Sequence, residues 1–215
     1  MSKPFQFHYD PDKESAAYPR IRPVIHFLVH FVFKEKVVGT ENIPQEGSFI
    51  VACNHVTAID PVFVAETCPR TLHFMAKISL FKKSFSRWLL TTMNAFPVDR
   101  SGVDMKAIRY AQALLDRGHV LGIFPEGTRS KDLKPHRAKG GVAMIAKQTH
   151  ADILPVCIYF SEKPHFRSKL TIRYGEVIPY DSLELPEDEH SAQQCRVAAA
   201  FVMEKITELW QQGHA

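Results

Sequence analysis

The sequence predicts a single α/β domain, a mainly parallel or mixed sheet flanked by helices, with an N-terminal amphipathic helix suited to a membrane surface. Three observations carry this. Short apolar runs with β-branched residues alternate with helix-like segments, the pattern of a sheet covered on both faces. The chain of 215 residues, 45% hydrophobic and 23% charged, can bury a real core and is neither disordered nor collagen-like. An apolar block near the N-terminus, Ile21 to Phe33, is bracketed by Arg20 and Arg22 on one side and Lys34 and Lys36 on the other. On this basis residues 1–36 form a tail and interfacial helix and residues 37–215 the main domain.

The Ile21–Phe33 block is shorter than the roughly 20 apolar residues a bilayer crossing needs, and it contains Pro23, His26 and His30. It fits a helix lying in a membrane interface, or an ordinary amphipathic helix packed on the domain. His26 and His30, one turn apart, offer two imidazoles with no third ligand nearby in the chain, so no metal site is expected. After a turn-like Gly39 to Gly47, Ser48 to Cys53 reads as a buried strand. Asp60-Pro61 reads as a helix start, Asp being a favoured N-cap and Pro a favoured first helical residue.

Leu72 to Ala76 is a second strand, leading to Lys77. From Ser79 to Met93, Leu80, Phe81, Phe85, Trp88 and Leu89 share an apolar side, while Lys82, Lys83 and Arg87 supply charge. This is a second candidate for an interfacial helix, or equally a core-facing helix with a solvated basic face. Asp104 is placed to cap a helix running to Asp116 that Gly118 closes. His119 to Phe124 is a third buried strand. A loop Phe124 to Ser130, a basic stretch Lys131 to Lys139 and a helix from Gly140-Gly141 to Gln148 follow. Ile153 to Phe160 and Leu170 to Ile178 are further strands, and an acidic loop Asp181 to Glu189 precedes a last helix, Ser191 to Gln212.

The net charge of +4 is too mild for an electrostatic nucleic-acid binder and suits an anionic surface or substrate. Cys53, Cys68, Cys157 and Cys195 show no C-x-x-C spacing, which points to a reducing cytoplasm, and Met1 to Ser15 lacks the apolar core of a signal peptide. Phosphate-loop, dinucleotide, nucleophile-elbow and zincin signatures are absent.

Two loops remain, each directly after an apolar strand, where open α/β sheets place functional groups. In the first, His55 and Asp60 stand five apart, about 140° around a helix and on opposite faces of a strand, so they meet only if the chain between them turns. If it does, the carboxylate fixes one imidazole nitrogen and leaves the other as a general base; otherwise Asp60 is a plain helix cap. In the second, Phe124-Pro125-Glu126-Gly127-Thr128-Arg129-Ser130, glycine frees the backbone, Thr128 offers a hydroxyl and Arg129 a planar fork that suits phosphate, although such a sequence is also an ordinary turn.

Taken together, the boxes Asn54-His55-(four residues)-Asp60 and Phe124–Ser130 resemble the signatures of the glycerophospholipid acyltransferases, specifically the 1-acyl-glycerol-3-phosphate acyltransferases. Phe96-Pro97-Val98-Asp99-Arg100 is similar to the family's middle block, with Asn94 where that block commonly opens with Gly. Leu154-Pro155-Val156 is similar to its late Val-Pro block, with Leu154 in place of Val. The resemblance runs from about Lys36 to Tyr180.

It implies His55 as general base oriented by Asp60, anion-binding roles for Arg129 and Arg100 with Lys77 in the same site, and substrate-binding roles for Glu126, Gly127 and Thr128, with Glu126 organising either that loop or the acceptor's glycerol hydroxyls. The implied reaction carries a fatty acyl group from acyl-CoA or acyl carrier protein to lysophosphatidate, with no cofactor and no metal, on the cytoplasmic side of the cell membrane as a peripheral or monotopic protein. Other acceptors (glycerol-3-phosphate, another lysophospholipid, a lyso-aminolipid), a thioester hydrolase using Cys53 or water, and a non-catalytic lipid binder are the competing readings.

Overall fold

β1 (Lys34–Val38), β2 (Phe49–Cys53), β3 (Leu72–Lys77), β4 (Ala95–Val98), β5 (Val120–Ile123), β6 (Ile153–Tyr159) and β7 (Lys169–Tyr174) form one seven-stranded sheet in the order β1-β7-β6-β2-β5-β3-β4. This is seen in a computed structural model that describes residues 7–102, 104–186 and 192–215. Every neighbouring pair is parallel except β6 and β7, so the sheet is mixed. The central strands β2 and β5 are buried at every position, which is why they read as continuous apolar runs rather than alternating ones.

Among the described residues six helices flank the sheet: α1 (Tyr18–Val32), α2 (Asp60–Thr67), α3 (Ser84–Thr92), α4 (Met105–Asp116), α5 (Gly141–Thr149) and α6 (Ala192–Gln211). Two apolar clusters cover the two faces of the sheet. One gathers α1 and α2 through Tyr18, Val29, Phe63 and Val64, and the other gathers α4, α5 and α6 through Ala111, Leu114, Ile145, Ala199 and Val202. Each large apolar side chain buried in this way is worth about 1.5–3 kcal/mol. Asp104 caps α4 as expected, accepting from the backbone N–H of Lys106 and Ala107 at 3.1 Å each.

Several boundaries differ from expectation. β1 and β4 are strands the sequence hides, because Lys-Glu-Lys-Val-Val is charged and Ala-Phe-Pro-Val is short and holds a proline. Residue 36, where the tail and the main domain were expected to divide, lies inside β1, which pairs with β7. The expected helix Ser79–Met93 is broken: a 3-10 turn, Ile78–Lys82, ends where Lys83 adopts extended backbone, and α3 starts after it. Only the start of the acidic stretch, a 3-10 turn at Tyr180–Leu183, and its next few residues can be followed, since residues 187–191 lie outside the described ones.

Both candidate surface segments turn out to be two-sided. α1 buries Tyr18, whose hydroxyl donates to the Ala65 carbonyl at 2.7 Å, yet Phe27 on the same helix is 68% exposed. Phe81 is buried, while Phe85 and Trp88 of α3 are 74% and 57% exposed. Among the described residues, no helix is long and apolar enough to cross a membrane.

Candidate active site

The sheet order explains why four separate stretches of sequence converge. β2, β5, β3 and β4 are consecutive parallel neighbours, so their C-terminal ends open at one edge. These strand ends and the segments after them carry His55, the Phe124–Ser130 loop, Lys77 and Arg100 respectively, and the sheet thus delivers every expected site segment to the same rim.

The turn between His55 and Asp60 does form. His55 Nδ1 donates to Asp60 Oδ2 at 2.7 Å, with the carboxylate fully buried and the imidazole 13% exposed. The same Oδ2 accepts the backbone N–H of Val56 at 2.6 Å and of Thr57 at 2.8 Å, and Oδ1 accepts the Thr57 hydroxyl at 2.5 Å. Asp60 is therefore not the N-cap expected of it. It stands inside α2, after Ile59 as cap, and its side chain reaches back to hold the loop. A buried carboxylate with four donors is satisfied and fixed in place. With Nδ1 committed, Nε2 is left as the proton acceptor.

Packing fixes the ring from the other side. Phe124 stacks on His55 with centroids 4.2 Å apart, and Phe74 stacks in turn on Phe124 at 6.0 Å. Phe74 lies over Gly122 so closely that a Cβ there would meet its ring at 2.3 Å, which is why β5 carries glycine at this position. Asn54, beside His55 in the chain, donates to the Ile158 carbonyl and accepts its N–H, pinning the end of β2 across to β6.

The two loops are also bonded to each other. Glu126 Oε1 accepts the His55 N–H at 3.0 Å, and the Ser130 N–H donates to the His55 carbonyl at 2.7 Å. Burial pushes the Glu126 carboxyl up to about 7, against the lowering effect of the His55 N–H. Gly127 turns with φ +69°, and the Lys139 side chain lies directly over it, Nζ 3.3 Å from where a Cβ would stand. Arg100 donates to the Gly127 carbonyl at 2.7 Å and to the Met75 carbonyl of β3 at 3.5 Å, so one N–H group holds this loop and another ties it to β3.

Thr128 and Arg129 point outward and are exposed. Lys77 is exposed at the end of β3, close enough to Asp99 to help Ser101 hold that carboxyl below its usual range. Lys139 is a contributor the sequence does not mark, and Phe124, the first residue of the expected loop, has a stacking part on His55 that its motif does not show. Lys139 sits in a basic stretch with no signal of its own. Cys53 is buried, and burial raises its thiol well above the ordinary range, so it offers no thiolate nucleophile.

Beside the loop opens a cleft of about 760 Å³ that Phe124, Pro125, Gly127 and Arg100 share with Ile108 of α4 and Ile145 of α5. His55 stands behind its Phe124 wall. The rim thus supplies an oriented base, cations and an apolar recess in one place, the components of acyl transfer to a hydroxyl on an anionic amphiphile.

Comparison with known proteins agrees. A family model described as Acyltransferase matches residues 34–159. The chain is 33% identical over 162 residues to a 1-acyl-sn-glycerol-3-phosphate acyltransferase of Bacillus subtilis, covering 73% of this chain and 80% of that one. It is 34% identical over 161 residues to one of Borreliella burgdorferi, covering 71% and 64%. The crystal structure of the 1-acyl-sn-glycerophosphate acyltransferase of Thermotoga maritima superposes with a TM-score of 0.72 at 26% identity, covering 91% of this chain and 78% of that one. The match spans both strand-end loops and the sheet that brings them together, and the chain belongs to the acyltransferase family.

Proposed function

We propose that the protein transfers a fatty acyl group from an acyl thioester, acyl-CoA or acyl carrier protein, to the free hydroxyl of lysophosphatidate, forming phosphatidate. The observation that carries this reading is the His55 imidazole, with Nδ1 bonded to buried Asp60 and Nε2 left to act, bonded through its backbone to the loop that presents Arg129. The naming of the Bacillus subtilis and Borreliella burgdorferi relatives supports the acceptor.

In this reaction His55 Nε2 takes the hydroxyl proton as the oxygen attacks the thioester carbonyl. The C–O bond forms, the tetrahedral intermediate collapses, and the C–S bond breaks. A thiolate is a good leaving group, since thiols have a pKa of about 8.5, and the imidazolium returns the proton to it. No covalent acyl-enzyme is needed. Arg129 and the free N–H groups of Arg100 hold the acceptor phosphate, with Lys77 and Lys139 adding positive charge. The apolar cleft beside Phe124 suits a fatty chain.

Both substrates carry chains that partition into lipid, and the protein works at the membrane surface on this reading, peripheral or monotopic on its cytoplasmic face. The bare aromatic side chains Phe27, Phe31, Phe85 and Trp88 support that placement, with Lys82 and Lys83 beside the latter two to meet anionic lipid.

The test is acyl transfer by purified protein in mixed micelles, with acyl-CoA and acyl carrier protein as alternative donors and lysophosphatidate, glycerol-3-phosphate and other lysophospholipids as acceptors. Phosphatidate as the favoured product supports the reading. Thiol release without acylated product overturns it in favour of hydrolysis. In parallel, wild type sediments with anionic vesicles at low salt and the Phe27→Ser/Phe85→Ser variant does not; equal sedimentation of the two contradicts the membrane placement.

A further inference from the structure

Away from the active site, α1, β1 and α2 bring together four donors that the reaction does not use. His26 and His30 stand one turn apart on α1 with ring centroids 4.1 Å apart. Glu35 of β1 and Glu66 of α2 lie beneath them, both side chains with 0% exposure. His26 Nδ1 is 2.6 Å from Glu66 Oε2, and His30 Nδ1 is 3.1 Å from Glu35 Oε2. One ligand atom from each of the four lies within 4.8 Å of all the others.

The carboxyl groups are short of partners. Apart from the His30 contact, Glu66 Oε1 and the two oxygens of Glu35 have only each other's carboxyl group as a hydrogen-bond partner, and His30 Nδ1 also bonds the His26 carbonyl at 3.1 Å. The Arg22 guanidinium lies nearby and places its Nε on the Glu66 carbonyl at 3.1 Å. Buried side by side, the two carboxyl groups hydrogen-bond each other through a proton held between them, a place that a divalent cation can take. The imidazoles at the mouth are half-exposed, so an ion has a path in.

The donor set has a clear preference. Two imidazole nitrogens and two carboxylate oxygens match a first-row divalent transition metal, and bonds of about 2.0–2.2 Å to Zn²⁺ in a tetrahedron place ligand atoms roughly 3.3–3.6 Å apart. The spacings here, between 2.6 Å and 4.8 Å, reach that geometry by small side-chain shifts. We propose that His26, His30, Glu35 and Glu66 form a binding site for a divalent transition-metal ion such as Zn²⁺, which ties α1 to the sheet and to α2. Binding releases any protons the imidazoles and carboxyls carry. The ion fastens the helix that bears Phe27 and Phe31, and it does so at the far end of the helix that begins with Asp60.

A second group, Glu14, His73 and His119, serves as the control. It offers three donors, and Glu14 Oε1 already contacts both imidazoles, at 3.3 Å and 3.0 Å. The experiment titrates Zn²⁺ into chelator-treated full-length protein by calorimetry, with melting temperature as a second readout. The expected result is one ion per chain and a rise in melting temperature. Binding is lost in His26→Ala/His30→Ala, weakened at least about ten-fold in Glu35→Gln, and retained in His119→Ala. The histidines are half-exposed, so their removal leaves the fold intact, which circular dichroism verifies. Absence of Zn²⁺ binding to wild type overturns the proposal, as does binding that survives His26→Ala/His30→Ala or disappears in His119→Ala.

Discussion

The loop after β2 and the loop after β5 leave the same edge of the sheet, yet they are built on opposite terms. In the first, Asp60 is buried and every hydrogen bond it makes is internal, with four donors spent on holding one imidazole. In the second, Glu126 and Ser130 tie the loop down at two points while Thr128 and Arg129 stay in solvent, Arg129 with no partner in the protein among the described residues. On the proposed function the difference separates two tasks. A base must be positioned before substrate arrives, because its contribution rests on geometry. A group that grips a charged substrate is best left unsatisfied until the substrate supplies its partner.

The comparison can be broken from the positioned side first. His55→Ala removes the base, and kcat is expected to fall by about 10²–10⁴-fold with the circular dichroism spectrum unchanged. Asp60→Asn keeps the volume but places an amide where donors converge. We expect kcat to drop about 10²-fold together with a stability loss of about 1–3 kcal/mol in denaturant unfolding, since a buried donor is left unmatched.

From the open side, Arg129→Ala removes a charge-assisted contact worth about 1.5–3 kcal/mol, so KM for a phosphate-bearing acceptor rises roughly 10–100-fold with little change in melting temperature. Gly122→Ala sharpens the picture of how His55 is held. The new methyl meets the Phe74 ring, and the displacement passes through Phe124 to the imidazole. An overpacking cost of about 1–3 kcal/mol in stability, with a smaller loss of kcat than His55→Ala, is the expected outcome.

The smallest effect concerns Glu126. Its folded-state value of about 7 lies above the ordinary 4.5, so between those values the folded protein keeps a proton that the unfolded chain has lost. The corresponding stability is full below about pH 4.5 and is lost as pH rises through 7. Glu126→Gln removes this slope, which chemical denaturation across that range measures.

Much of this was legible in the residues. β2, β5 and β6 announce themselves because strands buried on both faces leave no polar positions. The meeting of His55 and Asp60 follows from spacing plus a turn, and Asp104 caps α4 because a cap is a local event. What stayed hidden is decided by distant parts of the chain. β1 is recognisable only by its pairing with β7, and Lys139 joins the site only because its backbone N–H bonds Pro125 and its side chain crosses Gly127. Arg100 has a part that its motif does not reveal, since the carbonyls it bonds come from the Phe124–Ser130 loop and from β3. His26 and His30 look like a pair without a third ligand in sequence, because Glu66 reaches them only through the packing of α1 on α2.

The division between a positioned base and an open anion grip is tested most directly by steady-state kinetics on lysophosphatidate and on a monoacylglycerol acceptor without phosphate, for wild type, His55→Ala and Arg129→Ala. The account predicts that His55→Ala depresses kcat on both acceptors alike, whereas Arg129→Ala raises KM for lysophosphatidate and leaves the phosphate-free acceptor unaffected. Wild-type turnover by His55→Ala, or an equal loss on both acceptors in Arg129→Ala, contradicts it.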